Sequence, residues 1–170
     1  RGKSYRCPAG VWTIGYGHTS MAGQPAVAGG QQVSREEGTR ILAQDVAKVA
    51  GEVARLVAVS LADHQFSALV SFAYNVGIGN FRGSSVLKAV NAGDLGAVPR
   101  RLQLWTKAGG RQLPGLVRRR AAEAELFLGK DQAPEPQRPA VEKPIGKPVH
   151  QSTTALAAIV SAIAGMASTI

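Results

Sequence analysis

The chain has 170 residues, of which 45% are hydrophobic and only 5% aromatic, and it carries a net charge of +9. That is enough apolar material for one ordinary domain core built on Ala, Val, Leu and Ile, which suits packed helices better than a barrel. A single cysteine excludes an internal disulfide, and the positive charge favours an anionic partner without naming one.

All of the net charge falls in residues 1–130, which hold 17 Lys/Arg against eight Asp/Glu. Nine of those cations lie between Arg82 and Arg120, where Asp94 is the one acid. Such a face attracts polyanions (nucleic acid, acidic lipid or the anionic polymers of a bacterial envelope), or simply keeps the surface solvated. Tyr5, Trp12, Tyr16, Phe81 and Trp105 do not interleave with the basic run as a single-strand binder requires, and no recognition motif accompanies it. No nucleic-acid partner is expected.

From the start of the chain, Val11 to His18 alternates apolar and small residues with the period of a strand, and Gly10, Gly15 and Gly17 permit tight turns, so a short hairpin is expected. Cys7 and Thr13 stand six apart across Pro8-Ala9-Gly10, close enough for a hairpin to bring a thiol and a hydroxyl into one cleft. Ser20 to Gln32 reads as an irregular loop. Ser34-Arg35-Glu36-Glu37 is a capping box that starts a long helix, with Leu42, Val46, Val49, Val53 and Leu56 as its apolar stripe and Asp45, Lys48, Glu52 and Arg55 on other faces.

A second helix is expected from about Ala62 to Asn75, ended by Gly77 and Gly79. Ser84 or Ser85 caps a short helix carrying Val86, Leu87 and Val90, which Gly93 closes. Pro99 marks a further helix start or turn with Leu102 and Trp105 facing inward. Lys107 to Gly110 and Leu113-Pro114-Gly115 read as a connector to a last helix over about Leu116 to Leu128. Residues 131–150 are proline-rich and read as a linker, which sets the domain boundary near Lys130. Residues 151–170 carry no charge, and the length of this tail suits a single membrane helix while its Ala, Ser, Thr and Gly content suits an amphipathic or frayed tail.

Gly15 and Gly17 do not make a phosphate loop, because the strand, G-x-G-x-x-G and helix order is absent. Cys7, His18, His64 and His150 are too scattered for a metal-ligand set, so no metal is expected.

Cys7 to His18 resembles the active-site hairpin of the phage-type lysozymes, the endolysin muramidases of glycoside hydrolase family 24. That family's pattern runs Glu, eight residues, Asp or Cys, five residues, Thr, then Ile-Gly-x-Gly-His; Cys7, five residues and Thr13 fit it. Three further stretches agree in the same order: Gln65 to Gly77, Val90 to Asp94, and Trp105 to Gly110 followed by Leu113 to Glu123. Together they cover residues 1 to about 129.

The resemblance implies an α+β, two-lobed, mostly helical lysozyme-like fold in which a small N-terminal β-hairpin lobe faces a helical lobe across a cleft. It implies hydrolysis of the β-1,4 bond between N-acetylmuramic acid and N-acetylglucosamine in peptidoglycan during phage or prophage host lysis, by a monomer without cofactors working on the periplasmic side of the wall. Cys7 would serve as base or electrostatic stabiliser, with Arg6 a candidate to lower its pKa, and Thr13 would hold the attacking water. His18 would line the cleft, more as a hydrogen-bonding group than a proton carrier.

Arg118, Arg119 and Arg120 open the last helix against its dipole. By the resemblance, one of them pairs with the family's general-acid Glu, and Arg118 and Arg119 are candidates to meet substrate. That Glu would fall two positions upstream of Arg1. The sequence is therefore read as a fragment lacking its first helix, poor or inactive as an enzyme, with one of these arginines left without its partner. Glu123 would compensate one charge at i+3 or i+4 if the arginines form a solvated face. The alternative reading is a non-catalytic, membrane-tethered wall-binding protein, with residues 153–170 as the anchor.

Overall fold

A computed structural model describes residues 2–7, 10–129 and Val160. Apart from Val160, which packs against the core, the linker and tail expected at 131–150 and 151–170 lie outside the described residues. No helix among the described residues is long and apolar enough to cross a membrane.

The expected hairpin is wider than its sequence suggests. Strands β1 (Tyr5–Arg6), β2 (Trp12–Ile14) and β3 (His18–Thr19) form an antiparallel sheet in the order β1-β2-β3. Tyr5 pairs with Thr13, and Thr13 in turn with Thr19. The second turn runs through Gly15 at φ 60°, a left-handed conformation that a side chain would strain.

The loop that follows is irregular, as expected, but pinned by its own side chains. Ser20 Oγ accepts from the Val27 amide at 2.8 Å. The Gln31 amide group accepts from Ala28 N at 2.8 Å and donates to the Ala26 carbonyl at 3.1 Å.

Helix α1 (Arg35–Leu56) begins where the Ser34 hydroxyl accepts from the Glu37 amide at 3.0 Å. The reciprocal half of the capping box is replaced: the Glu37 carboxylate is drawn forward onto Arg40, at 2.6 and 3.2 Å. Ile41, Leu42, Val46, Ala50 and Val53 bury its apolar face. Asp45, assigned by periodicity to a polar face, is buried with them because a partner from the sheet waits there. Gly38 of α1 meets the sheet at the Gly15 turn, where a Cβ on Gly38 would stand 3.8 Å from the Gly15 Cα. Helix and turn thus touch glycine to glycine.

Helix α2 (Asp63–Val76) is the central strut, buried continuously from Ser67 to Ala73 and packed on α1 and the last helix, α6 (Pro114–Phe127). Gly77 ends it, but Gly79 does not stop the chain: α3 (Ile78–Gly83) follows at once because Phe81 is fully buried in the core. Helix α4 (Ser85–Asn91) is capped by Ser84 Oγ, which accepts from Leu87 N at 3.1 Å. At its end the Asn91 side chain accepts from Ala58 N and donates to Leu56 O, both at 2.9 Å, and so closes the C-terminus of α1.

Helix α5 (Val98–Leu102) carries Pro99 in its first turn. The expected connector contains a small hairpin, β4 (Lys107–Ala108) and β5 (Arg111–Gln112), turned by Gly109 and Gly110. The few aromatics are concentrated. Phe72 makes edge contacts with Phe81 at 6.1 Å and Trp105 at 5.5 Å, at the centre of the helical lobe.

Candidate functional site

The sheet and the helical lobe are separated by a groove of about 460 Å³. Its walls are Gly17, Thr19, Met21 and Ala22 on the sheet side, Asp45, Lys48 and Glu52 on α1, and Tyr74, Gly77 and Ile78 at the end of α2 and start of α3. Lys48 ties two of these walls together by donating to the Ala22 carbonyl at 2.9 Å.

Sheet register decides which residues share a face. Directly opposed residues in an antiparallel pair point to the same face, as do residues two apart along a strand. Tyr5, Thr13 and Thr19 are therefore on one face, and Thr19 lines the groove. Cys7 lies two residues beyond Tyr5, its amide donating to the Val11 carbonyl at 3.0 Å to continue the register. The pleat carries it to the same face, diagonal to Thr13; of these residues Thr19 borders the groove, and Cys7 and Thr13 do not.

Cys7 is half-buried. Thr13 is buried, and its hydroxyl donates to the Val11 carbonyl at 3.1 Å, which leaves the oxygen lone pairs as acceptors. Arg6, the candidate for lowering the Cys7 pKa, is directed away: its guanidinium stacks over Trp12 at 4.7 Å and donates to the Gly10 carbonyl at 2.8 Å.

His18 lies on the opposite face, buried together with Ile14. Its Nδ1 is 2.7 Å from Asp45 Oδ2 and its Nε2 donates to the Pro25 carbonyl at 2.8 Å. With both nitrogens engaged, the imidazole locks β3 and the following loop onto α1 and has none to offer a sugar.

The three arginines divide. Arg118 is exposed. Arg119 and Arg120 are buried and converge on Glu123, which is 0% exposed. Arg119 Nε donates to Glu123 Oε1 at 3.1 Å, Arg120 Nε lies 3.1 Å from Oε2, and the Ser71 hydroxyl donates to Oε1 at 2.8 Å. Arg120 also donates to Asn75 Oδ1 at 2.6 Å and covers the Phe72 ring at 4.8 Å. Neither a solvated basic face nor an arginine lacking its partner is found for this pair, because the i+3 and i+4 spacings bring one carboxylate under both guanidiniums.

Burial pushes the Glu123 carboxyl up from its ordinary value, against the pull of the two guanidiniums, and pushes Arg120 down to about 10. A raised carboxyl is what a general acid needs, yet Glu123 has no surface with which to touch a ligand. Tyr74 is the groove group most altered by its setting. Burial first, then the Asp45 charge, raises its phenol far above the usual tyrosine range, with Arg119 opposing. Its hydroxyl donates to the Tyr16 carbonyl at 3.4 Å.

Sequence reasoning did not single out Asp45, Tyr74 or the burial of Arg120. Glu123 alone had a legible signal, its spacing from the arginines. Among the described residues no cluster of His, Cys, Asp or Glu could hold a metal ion.

A three-stranded lobe set against a helical lobe, with a groove between them bordered by α1, is the α+β architecture of a lysozyme-type protein. The chain matches the family model for phage lysozyme over residues 1–123. It is 36% identical over 129 residues to an endolysin of Acyrthosiphon pisum secondary endosymbiont phage 1, covering 74% of this chain and 85% of that protein. It is 40% identical over 117 residues to the endolysin of Bacillus phage B103, covering 69% of this chain but only 43% of that relative. The muramidase domain of SpmX from Asticaccaulis excentricus superposes with a TM-score of 0.67 at 37% identity, over 75% of this chain and 86% of that one. The chain belongs to the phage lysozyme family.

Proposed function

We propose that the protein is a peptidoglycan hydrolase of the muramidase type, cleaving the β-1,4 bond between N-acetylmuramic acid and N-acetylglucosamine on the periplasmic side of the wall during phage or prophage lysis. Family membership supports the class. The observation that carries the site is the register that puts Cys7 and Thr13 on the sheet face whose Thr19 borders the groove.

Glycoside cleavage needs a proton for the leaving oxygen and a nucleophile or activated water on the other side of the sugar. In this reading Thr13 Oγ1, its own proton directed to Val11, accepts a hydrogen bond from the water. Cys7 as thiolate takes the other proton as that water attacks the anomeric carbon. The leaving oxygen is protonated by a general acid.

Asp45 and Glu52, which border the groove, and the buried Glu123 are already engaged. Asp45 holds His18, Glu52 holds Arg55, and Glu123 is sealed beneath its arginines. We therefore expect this polypeptide alone to hydrolyse wall weakly or not at all. The same observation favours the non-catalytic part of a second reading, a wall-binding protein whose groove grips glycan without cutting.

A turbidity assay on purified cell wall, run beside wall co-sedimentation on this polypeptide and on its Cys7→Ala and Thr13→Ala variants, separates the two. Lysis that falls at least about 100-fold in both variants supports the hydrolase, in line with the weight of a general base. Wall co-sedimentation without lysis supports the binder.

A further inference from the structure

Away from the groove, the segment from Leu95 to Ala122 holds seven Lys/Arg and no Asp/Glu. Arg119 and Arg120 are turned inward onto Glu123, but Arg100, Arg101, Lys107, Arg111 and Arg118 are exposed. These side chains come from α5, the β4–β5 hairpin and the first turn of α6. Helices α5 and α6 pack on each other, and the Leu113 amide donates to the Thr106 carbonyl at 2.9 Å to close the base of the hairpin. The segment therefore sets α5, the base of the hairpin and the start of α6 side by side.

Exposed apolar side chains stand among these cations. Leu104 is 66% exposed and shares a shallow depression of about 270 Å³ with Arg100 and Arg101. Leu113 is 42% exposed at the foot of the hairpin. A coulombic contact with a hydrated polyanion, whether wall polymer or nucleic acid, uses the cations and gains nothing from solvated leucines. A surface that combines exposed Arg/Lys with protruding leucines matches an anionic bilayer, where headgroups take the charge and the acyl boundary takes the apolar tips.

We propose that the α5, β4–β5 and early α6 surface, through Arg100, Arg101 and Arg111 with Leu104 and Leu113, docks the domain onto anionic lipid. This contact is independent of the groove and of any glycan chemistry. It would hold the enzyme against the membrane that faces the wall.

The test is sedimentation of the full chain with vesicles of equal parts phosphatidylglycerol and phosphatidylcholine, against vesicles of phosphatidylcholine alone. Binding is expected on the anionic vesicles only, weakening with added salt. Replacing Arg100 and Arg101 by Gln should weaken it about fivefold per cation. Replacing Leu104 and Leu113 by Ser should weaken it about tenfold per leucine. The C-terminal tail is unchanged in every variant, so binding through that tail leaves all variants equal to the parent and overturns the proposal. Absence of binding to anionic vesicles also overturns it. So does loss with the arginine pair but none with the leucine pair, which would mark a purely coulombic polyanion contact. Far-ultraviolet circular dichroism and Leu104→Ser alone, a change at an exposed position, guard against a folding artefact.

Discussion

At the residue scale, the arrangement of Arg119, Arg120 and Glu123 sets two guanidiniums on one carboxylate without access to water. Removing one member of a buried ionic cluster leaves charge that nothing compensates, so Glu123→Gln should cost about 3–5 kcal/mol. Equilibrium urea unfolding measures this, and a loss below about 1 kcal/mol would mean that the arginines find water. Tyr74 gives a second residue-level expectation. Its folded pKa lies above its unfolded value, chiefly through burial. The stability this confers is complete below about pH 10 and is lost as pH rises through the folded value, because the unfolded chain ionises its tyrosine first. Spectrophotometric titration should show one phenol that stays protonated after the others ionise, and Tyr74→Phe should remove that late step and flatten the alkaline decline in stability. The spacing of Glu123 from its arginines is written in the sequence. That the cluster is dry is not, since it depends on Ser71 and Asn75 of α2 arriving from some 45 to 52 positions away.

At the element scale, caps and stripes were legible and short insertions were not. Ser34 caps α1 and Ser84 caps α4 because a hydroxyl at that place offers an acceptor to an amide that the helix leaves open. Ser34→Ala should therefore cost about 1 kcal/mol, read as a lowered thermal midpoint. Asn91→Ala should cost about 1–2 kcal/mol, because its side chain satisfies both Leu56 O and Ala58 N where α1 ends. Helix α3 was missed because Gly77 and Gly79 are local stop signals, which the burial of Phe81 overrides. The β4–β5 hairpin was missed because its strands are two residues long and both faces are exposed, so no alternation can reveal it.

At the scale of the whole molecule, the two lobes are unequal. The helical lobe is held by a continuous core in which Phe72, Phe81 and Phe127 are buried, whereas the sheet has strands of two or three residues. Its main polar tie to α1 is the buried contact of His18 with Asp45. Hydrogen exchange followed by mass spectrometry should find the sheet amides exchanging through local opening well before those of α2 and α6. His18→Asn should speed exchange in the sheet and in the loop to Val27 while leaving α6 nearly unchanged. Equal acceleration in both lobes would show that they unfold as one unit.

Legible in the sequence were the caps of α1 and α4, the apolar stripes, the cationic half and the hairpin motif with its Cys7 and Thr13. Those features are set by neighbours within a few residues, where capping, periodicity and turn chemistry operate. It took the packed fold to turn Asp45 inward to His18, to set Arg119 and Arg120 on one Glu123, and to place Thr19 at the edge of the groove. Each of these depends on groups distant in the chain meeting where water is excluded, and desolvation leaves no local pattern in a sequence.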